Sequence, residues 1–479
     1  MEKSLHINFT DFFKNHFGVP PTSISPLPQG GSDRKYFRLT SENHSAIAAH
    51  NPDVQENRTF IYLSRHFKDL GFPVPDIYEV SDDERTYLLS DLGDKTLFNH
   101  LICTGWRGDA AKSNVDLLKE ALSLLAKIQV EGAKGLDFTR CYPKSKFDKQ
   151  SVMWDFYYFK YSFLKPSGIR FNEAKLDDDF LALANVLLSQ PAEYFQYRDF
   201  QSRNIMLVNG KPYFIDYQGG RQGPFLYDVA SFLYQARAGI PQQIRDELLD
   251  FYLGAVGKLT DINNEESKKL FPAFALFRVL QTLGAYGYRG FFERRAHFLQ
   301  SIPLAAKNLK FLLERMAPIG VSLPTLRPIL ELIYQKYGES SEQSQPFDGL
   351  TLEINSFSFM KGYPMEHPEH GGGFVFDCRA LPNPGRLNQY KLLTGLDEPV
   401  ITYLEKYSEV EQYFGHVTEM VTKSVYTYKH RGFNHLSVSF GCTGGQHRSV
   451  YMASRLAQFF RAVDGVKVVL NHRELKEEE

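Results

Sequence analysis

The stretch Tyr337-Gly338-Glu339-Ser340-Ser341-Glu342-Gln343-Ser344-Gln345-Pro346 separates two different hydrophobic patterns. Ahead of it apolar residues recur at helical spacing, and behind it they alternate as in strands. A polar run between two such patterns reads as a linker between separately packed cores. The chain, 479 residues long, is therefore expected to hold more than one domain. Residues 25 to 100 are rich in Gly, Pro and short β-like runs such as Tyr87-Leu88-Leu89. From 116 onward Leu117, Leu118, Ala121, Leu124, Leu125 and Ile128 mark one helical face. The expected layout is a small mixed lobe over 1–100, a mostly helical lobe over 101–337, a linker over 338–349 and a small α/β domain over 350–479.

Composition excludes several classes. Hydrophobic residues at 43% do not suit a disordered chain, and no apolar run approaches the roughly eighteen residues of a membrane span. The 55 basic residues balance 56 acidic ones, which leaves no bulk electrostatic footprint for nucleic acid or an anionic membrane. The N-terminus turns acidic at Asp11 before any apolar segment develops, so no secretory signal is expected and the protein is placed in the cytoplasm. Cys103, Cys141, Cys378 and Cys442 form no CxxC pair, which argues against a disulfide framework or a structural zinc site.

The chemistry-bearing stretch of the first two lobes is Tyr197-Arg198-Asp199-Phe200-Gln201-Ser202-Arg203-Asn204, followed by Tyr213-Phe214-Ile215-Asp216-Tyr217. Phosphoryl transfer from ATP needs a carboxylate to orient and deprotonate the acceptor hydroxyl, and further oxygen ligands to hold Mg2+ on the phosphates. Asp199 suits the first task, and Asn204 and Asp216 suit the second. An Asp beside an Arg is usually only a solvated pair. An Asp and an Asn five apart on a loop, followed by a β-run ending in a second Asp, match the kinase catalytic loop and its metal-binding Asp.

Continued by Gln218-Gly219-Gly220-Arg221-Gln222-Gly223-Pro224-Phe225-Leu226-Tyr227-Asp228, this stretch resembles the aminoglycoside phosphotransferase and choline kinase superfamily, with Tyr197 where that family usually has His. Three further segments are similar to the bacterial N-acetylmuramate and N-acetylglucosamine anomeric kinases of cell-wall recycling: Gln29 to Arg38, Leu88 to Asp94, and Arg278-Val279-Leu280-Gln281-Thr282-Leu283-Gly284. The resemblance covers about 20–318. It implies an α+β two-lobed protein-kinase-like fold with ATP in the cleft, Mg2+ as cofactor and an amino sugar as substrate. Gly30, Gly31 and Ser32 would approach the phosphates, and Ser90, Asp91 and Leu92 would line the adenine edge. The strand run Ser45-Ala46-Ile47-Ala48-Ala49-His50 lacks the family's phosphate-binding Lys. His50, Arg34 and Lys35 are the candidate replacements, with Glu56 as the helix carboxylate. Trp154, Asp155 and Tyr158 fall where substrate-facing helices would lie, but such an aromatic cluster is more often packing.

In the third domain Gly441-Cys442-Thr443-Gly444-Gly445-Gln446-His447-Arg448-Ser449 lies between a strand pattern (Leu436, Val438, Phe440) and a helical one (Val450, Ala453, Leu456, Ala457, Phe460). Backbone N–H groups, a helix N-terminus and a guanidinium fork make a phosphate cradle. The Cys442-to-Arg448 spacing also equals that of cysteine-dependent phosphatases. Phe374 to Pro384, Thr394-Gly395-Leu396-Asp397 and Gly441 to Val450 are very similar to the C-terminal domain of RapZ-type RNase adapter proteins, over almost all of 350–475. That resemblance implies an amino-sugar-phosphate effector held by Cys442, Thr443, Gly444, Gly445, His447, Arg448 and Ser449, with Asp377 and Arg379 as neighbours. It also implies a homo-oligomer. RNA binding is not favoured as a partner role, because 350–479 carries 14 Lys plus Arg against 15 Asp plus Glu and ends Lys476-Glu477-Glu478-Glu479. His367 and His370 flank Pro368 with no third ligand, so a loop is expected there rather than a metal site.

The combined expectation is an ATP- and Mg2+-dependent kinase of an N-acetylated amino sugar fused to a domain that senses an amino-sugar phosphate. The alternatives are a nucleotide- and metabolite-sensing adapter without turnover, and a phosphatase acting through Cys442.

Overall fold

The computed structural model describes residues 2–27, 34–106, 108–338, 349–364, 373–430, 433–461, 463 and 465–475. Gly30, Gly31, Ser32, His367 and His370 lie outside them. The chain divides into two compact units, one of Met1–Tyr288 with Ile302–Glu339 and the other of Arg289–Ser301 with Ser340–Glu479.

The first unit begins with a five-stranded antiparallel sheet made of β1 (Ser23–Pro26), β2 (Lys35–Thr40), β3 (Ser45–His50), β4 (Ile77–Val80) and β5 (Thr86–Ser90), in the order β1-β2-β3-β5-β4. Side chains alternate across a strand, so each strand serves two faces. On one face Leu39, Ala46, Ala48 and Leu88 pack under Phe9 and Phe13 of the N-terminal helix. The other face meets the helix Val54–Asp69, where Phe60 lies against Tyr87 with ring centroids 5.5 Å apart. Asp53 starts that helix by accepting from the Gln55 and Glu56 N–H groups, satisfying donors that have no intrahelical partner.

The helical part follows. The helix Gly108–Val130 buries Leu118, Ala121, Leu125 and Ile128 of the expected face, together with Leu122. Two short antiparallel pairs carry the loops of interest: β6 (Tyr194–Gln196) with β9 (Arg221–Gly223), and between them the hairpin of β7 (Ile205–Val208) with β8 (Lys211–Phe214). The long helix Asn264–Gly287 packs closely on the helix Lys149–Phe159. Gly284 makes this approach feasible, since a Cβ there would lie 2.9 Å from the Phe159 backbone nitrogen.

The second unit is an α/β domain whose sheet is fully parallel: β10 (Leu350–Ser358), β11 (Gly373–Asp377), β12 (His435–Cys442) and β13 (Val466–His472), in the order β11-β12-β10-β13. Every residue of β12 is buried, not only Leu436, Val438 and Phe440. Central parallel strands are covered on both faces, so the residues between the alternating apolar ones are buried as well. The chain leaves β10 toward one side of the sheet and leaves β12 toward the other, so the gap beyond their carboxyl ends is a topological switch point, the usual place for a ligand in such sheets.

Candidate functional site

In the first unit the loop from Tyr197 to Asn204 and the turn after β8 bring three predicted residues together. The Asn204 side-chain amide donates to the Asp199 main-chain carbonyl at 2.9 Å and to the Asp216 carboxylate at 3.0 Å. Gln218 donates to the other Asp216 oxygen at 2.8 Å. Asp216 is held at φ +69, a left-handed conformation that costs a non-glycine residue energy and that surrounding contacts must enforce. Burial, with the Asp199 charge adding to it, raises the Asp216 carboxyl above its ordinary range. A divalent cation placed there would relieve both. No hydrogen bond to the Asp199 carboxylate is recorded among the described residues, so its oxygens are available to a substrate hydroxyl.

Long-range contacts fix this loop, and one of its anchors closes the stretch from Gln218 to Asp228 without having been assigned a role from sequence. Asp228, fully buried on the helix Leu226–Leu233, accepts from the backbone N–H groups of Tyr197 at 2.7 Å and Arg198 at 2.8 Å, and from Gln129 at 2.8 Å. Burial pushes its carboxyl up to about 6, with these three donors opposing the shift. Arg198, at φ +79, pairs with Asp155 at 2.9 Å, and Gln281 donates to the same carboxylate at 3.0 Å. Arg278 donates to the Tyr227 hydroxyl at 2.6 Å and to Ser231 at 2.9 Å. The segment Arg278 to Gly284 thus acts as a brace: Arg278, Gln281 and Gly284 lie three residues apart on one helical face. Of the aromatic cluster, Asp155 belongs to this brace and Trp154 is exposed. Tyr197 donates through its hydroxyl to the Ile215 carbonyl at 2.5 Å, tying the loop to the turn that carries Asp216.

At the carboxyl end of β5, Ser90 accepts from the Asp76 N–H at 3.0 Å, and Asp91 takes a two-pronged bond from Arg38 at 2.7 and 3.0 Å. Burial works against the Asp91 carboxylate, but Arg38 and Ser45 hold its carboxyl below the usual range. Its side chain is committed to the sheet.

Two protein oxygen donors, Asn204 and Asp216, suit a small hard cation that completes its shell with phosphate oxygens and water, which is how Mg2+ is commonly held. Among the described residues no group of three or more His, Cys, Asp or Glu could hold a metal ion by itself.

In the second unit a cleft of about 240 Å³ opens at the end of β12, lined by Asn383, Gly385, Lys391, Cys442, Thr443, Gly444, Gln446, His447 and Arg448. The helix Arg448–Phe460 begins here, so unpaired backbone N–H groups face the cleft region. Gly445 is at φ +70, and a Cβ on it would sit 2.8 Å from the Ser358 nitrogen. Its N–H donates to the Cys442 sulfur at 3.2 Å, and Ser449 lies 3.1 Å from that sulfur. His447 Nε2 lies 2.9 Å from the Tyr390 carbonyl, which can only accept, so Nε2 carries the proton and Nδ1 is left as an acceptor.

Other predicted residues sit differently. Arg448 spends one guanidinium nitrogen on the carbonyls of Arg379 and Leu381, at 2.8 and 3.0 Å. Asp377 and Arg379 pair with each other at 2.6 Å on the exposed surface and do not line the cleft. Asn383 and Lys391 do line it. Neither belongs to the glycine-rich loop, and only the fold brings them to it.

A family model described as the phosphotransferase enzyme family matches residues 23–262, and one described as the RapZ C-terminal domain matches residues 350–476. Among curated proteins, a nucleotide-binding protein of Acidithiobacillus ferrooxidans is 42% identical over 132 residues, covering 28% of this chain and 42% of that one. A nucleotide-binding protein of Staphylococcus epidermidis is 38% identical over 128 residues, covering 27% and 41%. The chain spans about two fifths of the length of these relatives. Among solved structures, a choline kinase from Cryptosporidium parvum has a TM-score of 0.42 at 13% identity, covering 62% of this chain and 92% of that one. An ethanolamine kinase of Plasmodium vivax has a TM-score of 0.42 at 14% identity, covering 61% and 84%.

Proposed function

This chain belongs to the phosphotransferase enzyme family, and on that premise we propose that it is a phosphotransferase with an alcohol group as acceptor, transferring the γ-phosphoryl group of ATP to an N-acetylated amino sugar. The observation that carries the reading is the Asn204 amide bonded to both Asp199 and Asp216, which gathers a free carboxylate and a metal-ligand pair at one point.

In this reading Asp199 accepts a hydrogen bond from the sugar hydroxyl, aligns its oxygen on the γ-phosphorus and takes the proton as the new P–O bond forms and the bond from the γ-phosphorus to the β-phosphate oxygen breaks, releasing ADP. Asn204 and Asp216 would hold Mg2+, which when bound would neutralise charge on the phosphates. Asp228 and the Arg198–Asp155 pair act indirectly, by fixing the loop. The anomeric hydroxyl is the proposed acceptor and cell-wall recycling the proposed context, both resting on the Gln29–Arg38 and Arg278–Gly284 resemblance. ADP release should appear with N-acetylmuramate or N-acetylglucosamine and Mg-ATP, and not with choline or aminoglycosides. Turnover confined to the latter group would contradict the substrate assignment.

The cleft beside Thr443 and Gly444 is proposed to bind the amino-sugar phosphate, with loop N–H groups on the phosphate, Lys391 as the nearby cation and Asn383 and His447 as polar contacts. Calorimetric titration with glucosamine-6-phosphate tests it. Tight RNA binding that falls steeply with salt would instead favour the adapter reading.

A further inference from the structure

We propose that Arg34 is the side chain that binds the nucleotide phosphates, replacing the lysine that β3 lacks. The assignment rests on the kinase reading above and adds the residue it leaves open.

Strand register selects among the three candidate cations. Lys35, His50 and Thr86 lie directly opposite one another across β2, β3 and β5, in phase with Phe37, Ala48 and Leu88. That face packs under the N-terminal helix. His50 is also engaged with the Thr86 hydroxyl at 3.1 Å. Lys35 and His50 therefore point to the wrong side of the sheet. The opposite face carries Tyr36, Ala49 and Tyr87 in register, and it meets the helix Val54–Asp69. Ala49 is the position on β3 from which a lysine would reach the cleft, and it presents only a methyl group.

Arg34 precedes Tyr36 by two residues and shares its face. Its guanidinium lies 3.2 Å from Glu56 on the helix, 3.4 Å from the Tyr36 hydroxyl and 5.8 Å from the Phe60 ring centre. Asn51 donates to the same Glu56 oxygen at 2.6 Å, which fixes the carboxylate in place. The arginine-to-helix-carboxylate pair thus has the form of the kinase lysine–glutamate pair, with the cation supplied by the neighbouring strand.

Arg34 is 2% exposed; its Nε has no hydrogen-bond partner among the described residues, and the terminal nitrogen 3.2 Å from Glu56 meets that carboxylate outside hydrogen-bonding geometry. A buried guanidinium whose Nε is unpaired, beside one partly exposed carboxylate, keeps donor capacity for further oxygen ligands. A polyphosphate supplies the missing acceptors and charge, and a planar fork suits two phosphate oxygens.

The test compares wild type, Arg34→Gln, Arg34→Lys and the double variant Arg34→Ala/Ala49→Lys, each checked by circular dichroism and thermal melting. Steady-state ADP release gives separate KM values for ATP and sugar, and filter binding of labelled ATP with Mg2+ gives affinity without turnover. Arg34→Gln should weaken ATP roughly 10- to 100-fold while the sugar KM stays within about threefold. Arg34→Lys should lose less, and the double variant should recover part of the loss. ATP affinity within threefold of wild type in folded Arg34→Gln, or in folded Arg34→Met if Arg34→Gln does not fold, would overturn the assignment alone. Wild-type protein that neither binds nor turns over ATP would contradict the kinase reading and this assignment with it.

Discussion

The Asn204 side-chain amide bonds the Asp216 carboxylate at 3.0 Å and the Asp199 carbonyl at 2.9 Å, so one residue sets the spacing of the other two. Removing it leaves Asp216 to find its own position. Asn204→Ala should raise the Mg2+ concentration for half-maximal activity by roughly 10- to 100-fold, the usual cost of losing a group that holds or orients a ligand. Mg2+ titrations of ADP release check this. An unchanged metal requirement would remove Asn204 from the site.

Asp228 makes the loop pH-sensitive. Its carboxyl rises from the ordinary 3.8 to about 6 in the folded protein, so in that window the folded state binds the extra proton. Its contribution to stability is greatest below 3.8, falls as pH rises through the window and is constant above about 6. Stability of wild type relative to Asp228→Asn should therefore fall by about 2 kcal/mol between pH 4 and pH 6. Urea unfolding at several pH values measures the difference, and a flat difference would place the titration elsewhere. Asp228→Asn should also lower kcat at pH 7.5, because its NH2 group faces N–H donors of Tyr197, Arg198 or Gln129.

These two residues show what could be read from sequence. Asp199, Asn204 and Asp216 sit within eighteen positions on one loop and hairpin, where spacing alone nearly determines proximity. Asp228 does its work through backbone N–H groups about thirty residues upstream, and nothing in its own neighbourhood marks the side chain as an anchor. The same holds for Asp155 and Gln281, 126 residues apart. In the second unit the strand, glycine loop and helix were legible because each has its own period. Lys391 and Asn383 were not, since the crossover that carries them to the cleft has no sequence period. The spacing that suggested Arg448 as a phosphate fork could not reveal the two carbonyls that occupy it.

Gly445 is the tightest point of the second loop. Gly445→Ala forces a Cβ against the Ser358 nitrogen and into a left-handed backbone position. A destabilisation of about 2 kcal/mol or more is expected, together with loss of phosphosugar binding. Thermal melting with and without glucosamine-6-phosphate reads both, and a variant that melts and binds like wild type would show that the loop has room to relax.

Lys391 is exposed and lines the cleft from outside the glycine-rich loop. Lys391→Gln should weaken phosphosugar binding severalfold at low salt, less at high salt, because exposed charges are screened. Calorimetry at two ionic strengths separates this from a structural effect, which salt would leave unchanged.

Transfer of phosphate to an amino sugar with Asp199 as the base is tested most directly by its product. Phosphorus NMR of the protein incubated with Mg-ATP and N-acetylmuramate or N-acetylglucosamine distinguishes an anomeric phosphate from one at C6. A new anomeric sugar-phosphate signal, slowed roughly 100-fold or more in Asp199→Asn, is predicted. No sugar phosphate with either sugar, or equal product from Asp199→Asn, would contradict the account.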